Sequence, residues 1–205
     1  MALVMLMRHG EAENNVQHIV AGRTSEYHLT EKGRLQVRST AEKLKDLSID
    51  AIYTSPVIRT VETSQIVSET IGVDYNVDER LTETEMGSLV GMRMNEVIEK
   101  HGDLFQKFYD DDASAKVGVE RFSSIGSRMS SMLDYVAEKY PDKNVLLVTH
   151  LDPIKAAITQ ILDLKPEVLF NMTIKNASLT ILKHSSKDYT LSAFNVMDIS
   201  RYSFE

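Results

Sequence analysis

The sequence predicts an α/β fold built on a mainly parallel sheet. Apolar runs with the length of a buried strand occur at residues 2–7 and 144–149. Segments with helical periodicity lie between such runs, and the clearest of them, residues 119–139, has apolar side chains at intervals of three and four. Two further strands, at about 172–183 and 188–196, then follow each other and are joined at 185–187. Alternation of strands and helices is typical of parallel sheets, because parallel neighbours need a long crossover.

The first half of the chain contains clear start and stop signals for its elements. Thr30 can cap a helix, and Ser55-Pro56 combines an N-cap residue with proline at the first helical position. Gly72 is placed to end the second of these helices. We therefore expect helices from Thr30 to about Leu47 and from Ser55 to about Ile71, and strands over 50–54 and 74–78.

The second half repeats this pattern. Residues 93–112 are predicted to be helical, residues 113–118 to form a break, and Asp152-Pro153 to start another helix directly after the strand at 144–149. Two long connections remain, from His9 to Thr30 and from Leu81 to Gly91. Connections of that length in a compact domain are usually functional.

Composition restricts the class of protein. The 205 residues fit one domain over 1–205, and 42% hydrophobic residues suffice for a substantial core. The net charge of −7 argues against a nucleic-acid surface, and the lack of cysteine excludes disulfides, thiolate metal sites and a cysteine nucleophile. No apolar run approaches the ~20 residues that span a bilayer, and the first residues lack the features of a signal peptide. We expect no membrane partner and a cytoplasmic location.

Two of the predicted strands end in histidine. His9 follows the strand at 2–7, and His150 follows the strand at 144–149. Because parallel strands have their carboxyl ends at one edge, both imidazoles should lie in one crevice, where open α/β sheets bind ligands. Either histidine alone would most simply be a loop residue that bonds to the backbone, whereas a pair at matching strand ends favours a functional site.

Two arginines should lie at the same edge. Arg8 interrupts the end of an apolar strand, and Arg59 lies in the first turn of the helix that begins at Ser55. Helix N-termini favour anions, and arginine offers a planar fork for phosphate oxygens. Alone, Arg59 would more simply be a solvated helix residue. A carboxylate should come from the loop at 81–91, where the spacing does not choose between Glu83 and Glu85.

The motifs together resemble the histidine phosphatase superfamily, which includes the cofactor-dependent phosphoglycerate mutases. The resemblance extends over five segments that occur in the family's order. These are Arg8-His9-Gly10-Glu11 with Asn15; Gly22-Arg23-Thr24 with Leu29-Thr30-Glu31-Lys32-Gly33; Tyr53-Thr54-Ser55-Pro56 with Arg59 and Thr63; Leu81, Glu83, Gly87 and Gly91; and Val148-Thr149-His150.

The resemblance implies a three-layer sandwich of the phosphoglycerate mutase type, with helices on both faces of the sheet. It also implies an enzyme in which His9 accepts a phosphoryl group and Glu83, rather than Glu85, is the general acid. Arg8, Arg59 and His150 would neutralise the transferred group, with His150 as a cation. The remaining contacts to phosphate or substrate are expected from Asn15, Gly22, Arg23 and Leu151. No metal would be required, because cationic side chains would do its work.

Departures from the family pattern favour a phosphatase over a mutase. The mutases carry an Arg-Tyr pair after the general acid and a lysine after the second glycine, both for the substrate carboxylate. Thr84-Glu85-Met86 and Met92-Arg93-Met94 stand at these positions, so that only Arg93 or Arg23 could substitute. The insert that encloses bisphosphoglycerate in the mutases looks shortened. A separate departure concerns the contact to phosphate, since Leu151 replaces the glycine that usually follows the second histidine.

The most consistent interpretation is a metal-independent phosphomonoesterase that acts on a small phosphorylated substrate. Residues 92–117 would form a lid or insert. The alternatives are a phosphoglycerate mutase, which alone would need 2,3-bisphosphoglycerate as cofactor, and a phospholigand-binding protein without catalysis. Base rates favour a homodimer if the chain oligomerises.

Overall fold

Six strands form one sheet in the computed structural model, which describes residues 2–111, 117–185 and 188–199. The order across the sheet is β3-β2-β4-β1-β5-β6. The strands are β1 (Ala2–Arg8), β2 (Ala51–Thr54), β3 (Tyr75–Val77), β4 (Val145–Thr149), β5 (Leu179–Ser185) and β6 (Asp188–Val196).

The sheet is parallel over its first four strands. β4 pairs in parallel with both β1 and β2, and β2 pairs in parallel with β3. β5 runs antiparallel to β1, and β6 antiparallel to β5. The predicted mainly parallel sheet and α/β class are therefore confirmed. β5 begins at Leu179 and is therefore shorter than the strand expected over about 172–183.

The helices lie between the strands. They are α1 (Glu13–Gln17), α2 (Glu31–Leu44), α3 (Ile58–Ile71), α4 (Met94–His101), α5 (Leu104–Phe108), α6 (Phe122–Lys139), α7 (Leu151–Leu162) and α8 (Pro166–Asn171), with single 3₁₀ turns at Lys45–Leu47, Glu79–Leu81 and Gly87–Leu89. Where the structure describes the chain, no helix is both long and apolar enough to cross a membrane.

Helices cover both faces of the sheet, as expected. Alternate side chains of β1 enter two separate cores, so that Val4 and Leu6 pack with α6 and α7 while Met5 packs with α2 and α3. The central strand β4 is buried along its whole length. This burial on both faces explains why the central strands read as continuous apolar runs.

Several predicted boundaries were wrong. The helix expected over 93–112 is divided at Gly102, whose φ of 58° does not continue a helix. α3 begins at Ile58 rather than after Ser55, and α7 begins at Leu151 with His150 as its N-cap rather than Asp152. The connection from 9 to 30 contains the short α1. The expected break at 113–118 and the link at 185–187 lie largely outside the described residues.

Candidate active site

The two histidines at the strand ends lie side by side. In the register of β1 and β4, Arg8 is opposite Thr149, and the amide of His9 donates to the carbonyl of Thr149 over 3.1 Å. The rings of His9 and His150 are therefore adjacent, with centroids 5.3 Å apart and planes inclined by 61°. His9 is 2% exposed and His150 is fully buried. The expected pairing of the two imidazoles at one sheet edge is present.

The His9 ring is held in one tautomer. Its Nδ1 lies 2.7 Å from the carbonyl oxygen of Gly10, which can only accept, so Nδ1 carries the proton. The Nε2 atom accepts from Arg59 Nε over 3.3 Å and therefore has a lone pair. Burial, followed by the charges of Arg59 and Arg8, holds the pKa of His9 well below its ordinary value. His9 is thus a neutral imidazole with an available nucleophilic nitrogen.

The loop after β1 is fixed by close packing on α2 and α3. A Cβ atom on Gly10 would meet the Gly33 carbonyl oxygen at 2.7 Å, and one on Gly33 would meet the Glu11 carbonyl oxygen at 2.0 Å. The amide of Gly10 donates to Thr63 Oγ1 over 3.1 Å. The two glycines allow backbones to approach directly, and this contact sets the position of His9.

Arg59 is a buried cation beside His9. Its guanidinium donates to the carbonyl of Gly22 over 2.8 Å and to that of Thr24 over 3.3 Å. Burial lowers the pKa of Arg59 to about 10, so it remains charged at neutral pH. Arg8 donates to the carbonyl of Ile174, and burial lowers its pKa as well. Two guanidinium groups therefore accompany the two imidazoles.

His150 differs from expectation in its charge. Burial, followed by Arg59 and His9, holds its pKa well below the ordinary value, so the ring is neutral here instead of cationic. Its Nε2 shares a hydrogen bond of 2.9 Å with Ser55 Oγ. Among the described residues its Nδ1 has no hydrogen-bond partner, although Glu83 Oε2 lies 3.9 Å away. A bound dianion would oppose the cations and raise the pKa of His150 again.

The structure separates Glu83 from Glu85. Glu83 lies on the cavity, and its Oε1 accepts from the amide of Thr84 over 2.9 Å. Glu85 instead accepts from the amide of Gly87 over 3.0 Å. Burial, together with the nearby carboxylate of Asp152, raises the pKa of Glu83 to about 7. Glu83 can therefore hold a proton at neutral pH, as a general acid must.

Asn15 is oriented by two donors. Its Oδ1 accepts from the amide of Ala12 over 3.0 Å and from Asn176 Nδ2 over 3.2 Å. Its Nδ2 is thereby left to donate into the cavity that Asn15 lines. Asn176 also donates to the carbonyl of His9 over 3.2 Å. Asn176 therefore supports both the loop after β1 and the side-chain amide of Asn15.

Arg23 does not reach the cavity. Its Nε donates to the carbonyl of Glu83 over 2.9 Å, and its terminal nitrogen pairs with Glu120 over 2.9 Å. The head of Arg23 thus supports the segment that carries Glu83, in place of the predicted contact with substrate. Arg93 is directed elsewhere too, since it donates to the carbonyl of Gln17 over 3.4 Å.

The cavity has a volume of about 620 Å³ and opens between the sheet edge and the segment expected to form the lid. Gly22 and Leu151 line it, so they remain candidates for contact with substrate. Further wall residues are Phe105, Phe108 and Tyr109. Within residues 2–111, 117–185 and 188–199, no cluster of three or more histidine or acidic residues is arranged to hold a metal ion.

Two residues of the site, Asp152 and Asn176, were not selected from the sequence. Asp152 was predicted as a helix cap, yet its carboxylate is buried at the cavity and accepts from Thr84 and Tyr109. Asn176 was placed inside a predicted strand. Asparagine is disfavoured in strands, and this was the signal that could have revealed the turn.

Comparison with known proteins assigns the family. The model of the histidine phosphatase superfamily, branch 1, matches residues 4–197. The chain belongs to this superfamily and is an enzyme of it, and its sheet and helices form the three-layer arrangement of phosphoglycerate mutase-like structures.

Relatives of the chain include both phosphatases and mutases. It is 31% identical over 204 residues to a 2,3-bisphosphoglycerate-dependent phosphoglycerate mutase of Thermoplasma acidophilum, covering 98% of this chain and 97% of the relative. It is 25% identical to phosphoserine phosphatase 1 of Hydrogenobacter thermophilus, covering 96% and 93%. Among solved structures, a mycobacterial glucosyl-3-phosphoglycerate phosphatase in complex with VO3 matches with a TM-score of 0.85 at 26% identity, covering 94% and 98%.

Proposed function

We propose that this enzyme hydrolyses a small phosphomonoester through a phosphohistidine on His9, without a metal ion. The observation that carries the proposal is the neutral His9 ring, whose Nε2 lone pair faces a buried guanidinium. The cationic groups Arg8 and Arg59, with His150 and Asn15, would surround the transferred phosphoryl group. Phosphoryl transfer depends mostly on positioning and charge stabilisation, which such a clamp supplies.

The reaction has two steps. His9 Nε2 attacks phosphorus, the bond from phosphorus to the ester oxygen breaks, and Glu83 gives its proton to the departing oxygen. In the second step Glu83, now ionised, takes a proton from water as the oxygen of that water attacks phosphorus. The bond from phosphorus to Nε2 breaks, inorganic phosphate leaves, and His9 and Glu83 regain their initial states.

Water is favoured as the acceptor over a second substrate molecule. Arg23 and Arg93, the two residues that could replace the carboxylate-binding groups of the mutases, are engaged with Glu120 and Gln17. A phosphoglycerate mutase remains the second candidate, because a relative of that name shares 31% identity over 98% of this chain. Only this alternative would require 2,3-bisphosphoglycerate.

A phosphate-release screen tests the proposal. We expect the wild-type enzyme to release phosphate from members of a panel of sugar phosphates, nucleotides, phosphoglycerates and phosphopeptides. His9→Ala should reduce that rate by at least about 10³-fold, because the nucleophile is lost. His101→Ala, which changes a histidine outside the cavity, is the matched control and should retain the rate.

Two outcomes would contradict the proposal. Full activity of His9→Ala would exclude the phosphohistidine route. With 3-phosphoglycerate as substrate, 2-phosphoglycerate formed only in the presence of 2,3-bisphosphoglycerate, with little free phosphate, would identify a mutase.

A further inference from the structure

A chain of hydrogen bonds leads from the core to Glu83. Lys155 Nζ donates to Tyr109 Oη over 2.8 Å, and Tyr109 donates to Asp152 Oδ1 over 3.1 Å. Thr84 Oγ1 lies 3.2 Å from Asp152 Oδ2 and 3.4 Å from Glu83 Oε1. Five polar side chains from α7, the segment after α5 and the loop before Gly87 are thereby connected.

The members of this chain have little contact with solvent. Asp152 is 6% exposed, Lys155 is 3% exposed, and Thr84 is fully buried. In such surroundings a carboxylate without donors would be strongly disfavoured. Asp152 has a donor on each oxygen, so it is the member of the carboxyl pair that is equipped to stay ionised.

The hydroxyl of Thr84 links the two carboxyl groups asymmetrically. It has a single proton, so it can donate to only one of them at a time. If Glu83 is protonated, Glu83 can donate to Thr84 Oγ1 while Thr84 donates to Asp152. If both were ionised, two carboxylates would compete for one proton, and their charges would repel each other. The arrangement therefore favours one proton on Glu83 next to an ionised Asp152.

We propose that Asp152 is a positioning residue that keeps Glu83 protonated and so adapts the site to alkyl phosphomonoesters. An alkoxide leaves phosphorus poorly unless it receives a proton, whereas a nitrophenolate leaves readily without one. This inference rests on the proposed function of the site and extends it to a class of leaving group.

The positive charges near Glu83 favour loss of its proton. Arg59 and Arg8 favour the ionised carboxylate, whereas burial and Asp152 raise the pKa of Glu83. His150, 3.9 Å away through Nδ1, is neutral. On the far side of Asp152, Lys155 and the hydrogen bonds from Tyr109 and Thr84 oppose the increase that burial causes in the pKa of Asp152. Asp152 is thus the group that offsets the two arginines.

The test uses Asp152→Asn, which retains the shape of the side chain and removes its charge. The measurement is kcat/KM against pH for glycerol 2-phosphate, an alkyl ester, and for p-nitrophenyl phosphate. For the alkyl ester, kcat/KM falls at high pH, and we expect this alkaline limb of the profile to move down by about one pH unit in Asp152→Asn. Above pH 8 that shift is an almost tenfold loss of kcat/KM. The loss for p-nitrophenyl phosphate should be less than about twofold.

Two further variants accompany Asp152→Asn, one as a control and one as a substitute for it. Asp103→Asn makes the same substitution on an exposed residue that pairs with Lys107, and it should leave both profiles unchanged. Asp152→Ser removes the charge with a smaller side chain and should reproduce the shift if Asp152→Asn does not fold. Orthovanadate binding, measured by calorimetry, should persist in both Asp152 variants.

Negative results of this test would separate the role of Asp152 from the proposed function of the enzyme. If the alkaline limb of the Asp152→Asn profile did not shift, or if kcat/KM fell equally on both esters, the proposed role of Asp152 would be overturned. Wild-type phosphatase activity would still support the proposed function of the site. A larger loss on glycerol 2-phosphate in Asp152→Asn than in Glu83→Gln would also overturn the proposed role of Asp152, because Asp152 would then be the acid itself. A wild-type enzyme inactive on every phosphomonoester would refute the proposed function as well.

Discussion

At the scale of the residue, burial acts in opposite directions on the two central groups. It disfavours the charged form of each, so it lowers the pKa of His9 and raises that of Glu83. The proposed nucleophile, which must be unprotonated, and the proposed acid, which must be protonated, are thereby both in the required state at neutral pH. The same closed environment serves both roles, although the two groups titrate in opposite senses.

The pKa of Glu83 leads to a prediction for the pH profile. Because the proposed acid Glu83 must carry its proton, wild-type kcat/KM on an alkyl phosphate should fall as the pH rises through about 7. Glu83→Gln should reduce that kcat/KM by about 10²-fold to 10⁴-fold and remove the limb. Glu85→Gln is the matched control and should keep the limb. A Glu83→Gln enzyme with the wild-type profile would show that another group is the acid.

At the scale of the element, the loop after β1 depends on its direct contact with α2. Gly33→Ala places a methyl group 2.0 Å from the carbonyl oxygen of Glu11, and backbone cannot yield as a flexible side chain can. We expect Gly33→Ala to lower the free energy of unfolding by about 3 kcal/mol, measured by urea denaturation.

A second glycine serves as the control for this prediction. The added methyl group of Gly126→Ala, in α6, meets only the side chain of Gln160, whose Nε2 lies at 2.8 Å and can rotate away. Replacement of Gly126 should change the free energy of unfolding by less than about 1 kcal/mol. Equal effects at the two positions would contradict the close-contact explanation.

The central strands and the two histidines were predictable because they follow local rules. Apolar runs marked β1 and β4, and a parallel sheet necessarily brings His9 and His150 to one edge. The buried contacts of Asp152 were not predictable, since its partners Thr84 and Tyr109 are remote in sequence and no periodicity links them. The division after α4 did have a local signal, Gly102, which the helical pattern on either side concealed.

At the scale of the whole molecule, buried neutral histidines connect stability to pH. Below the ordinary histidine pKa of 6.5 the unfolded chain takes up a proton on His9, while the folded chain does not. This contribution to stability is therefore lost as the pH falls. Glu83 acts in the opposite sense, because its raised pKa favours the folded state at low pH and this advantage is lost as the pH rises towards 7.

The substitution His9→Gln isolates the contribution of His9 to the pH dependence of stability. Between pH 7.5 and 5.5, the wild-type free energy of unfolding should fall by about 1 kcal/mol more than that of His9→Gln, which cannot take up the proton. Urea denaturation at the two pH values measures the difference. His101→Gln is the control and should behave as the wild type. An identical pH dependence of wild type and His9→Gln would mean that His9 is protonated in the folded enzyme.

The position of β1 in the sheet has a consequence for synthesis on the ribosome. β1 lies between β4 and β5, and both neighbours are encoded more than a hundred residues later. At ordinary rates of translation the nascent chain carries an unpaired apolar strand for on the order of ten seconds before either neighbour emerges. During that interval the segment that carries the proposed nucleophile exposes apolar surface of the kind that chaperones bind. The proposed active site is incomplete until β4, which precedes His150, has been made.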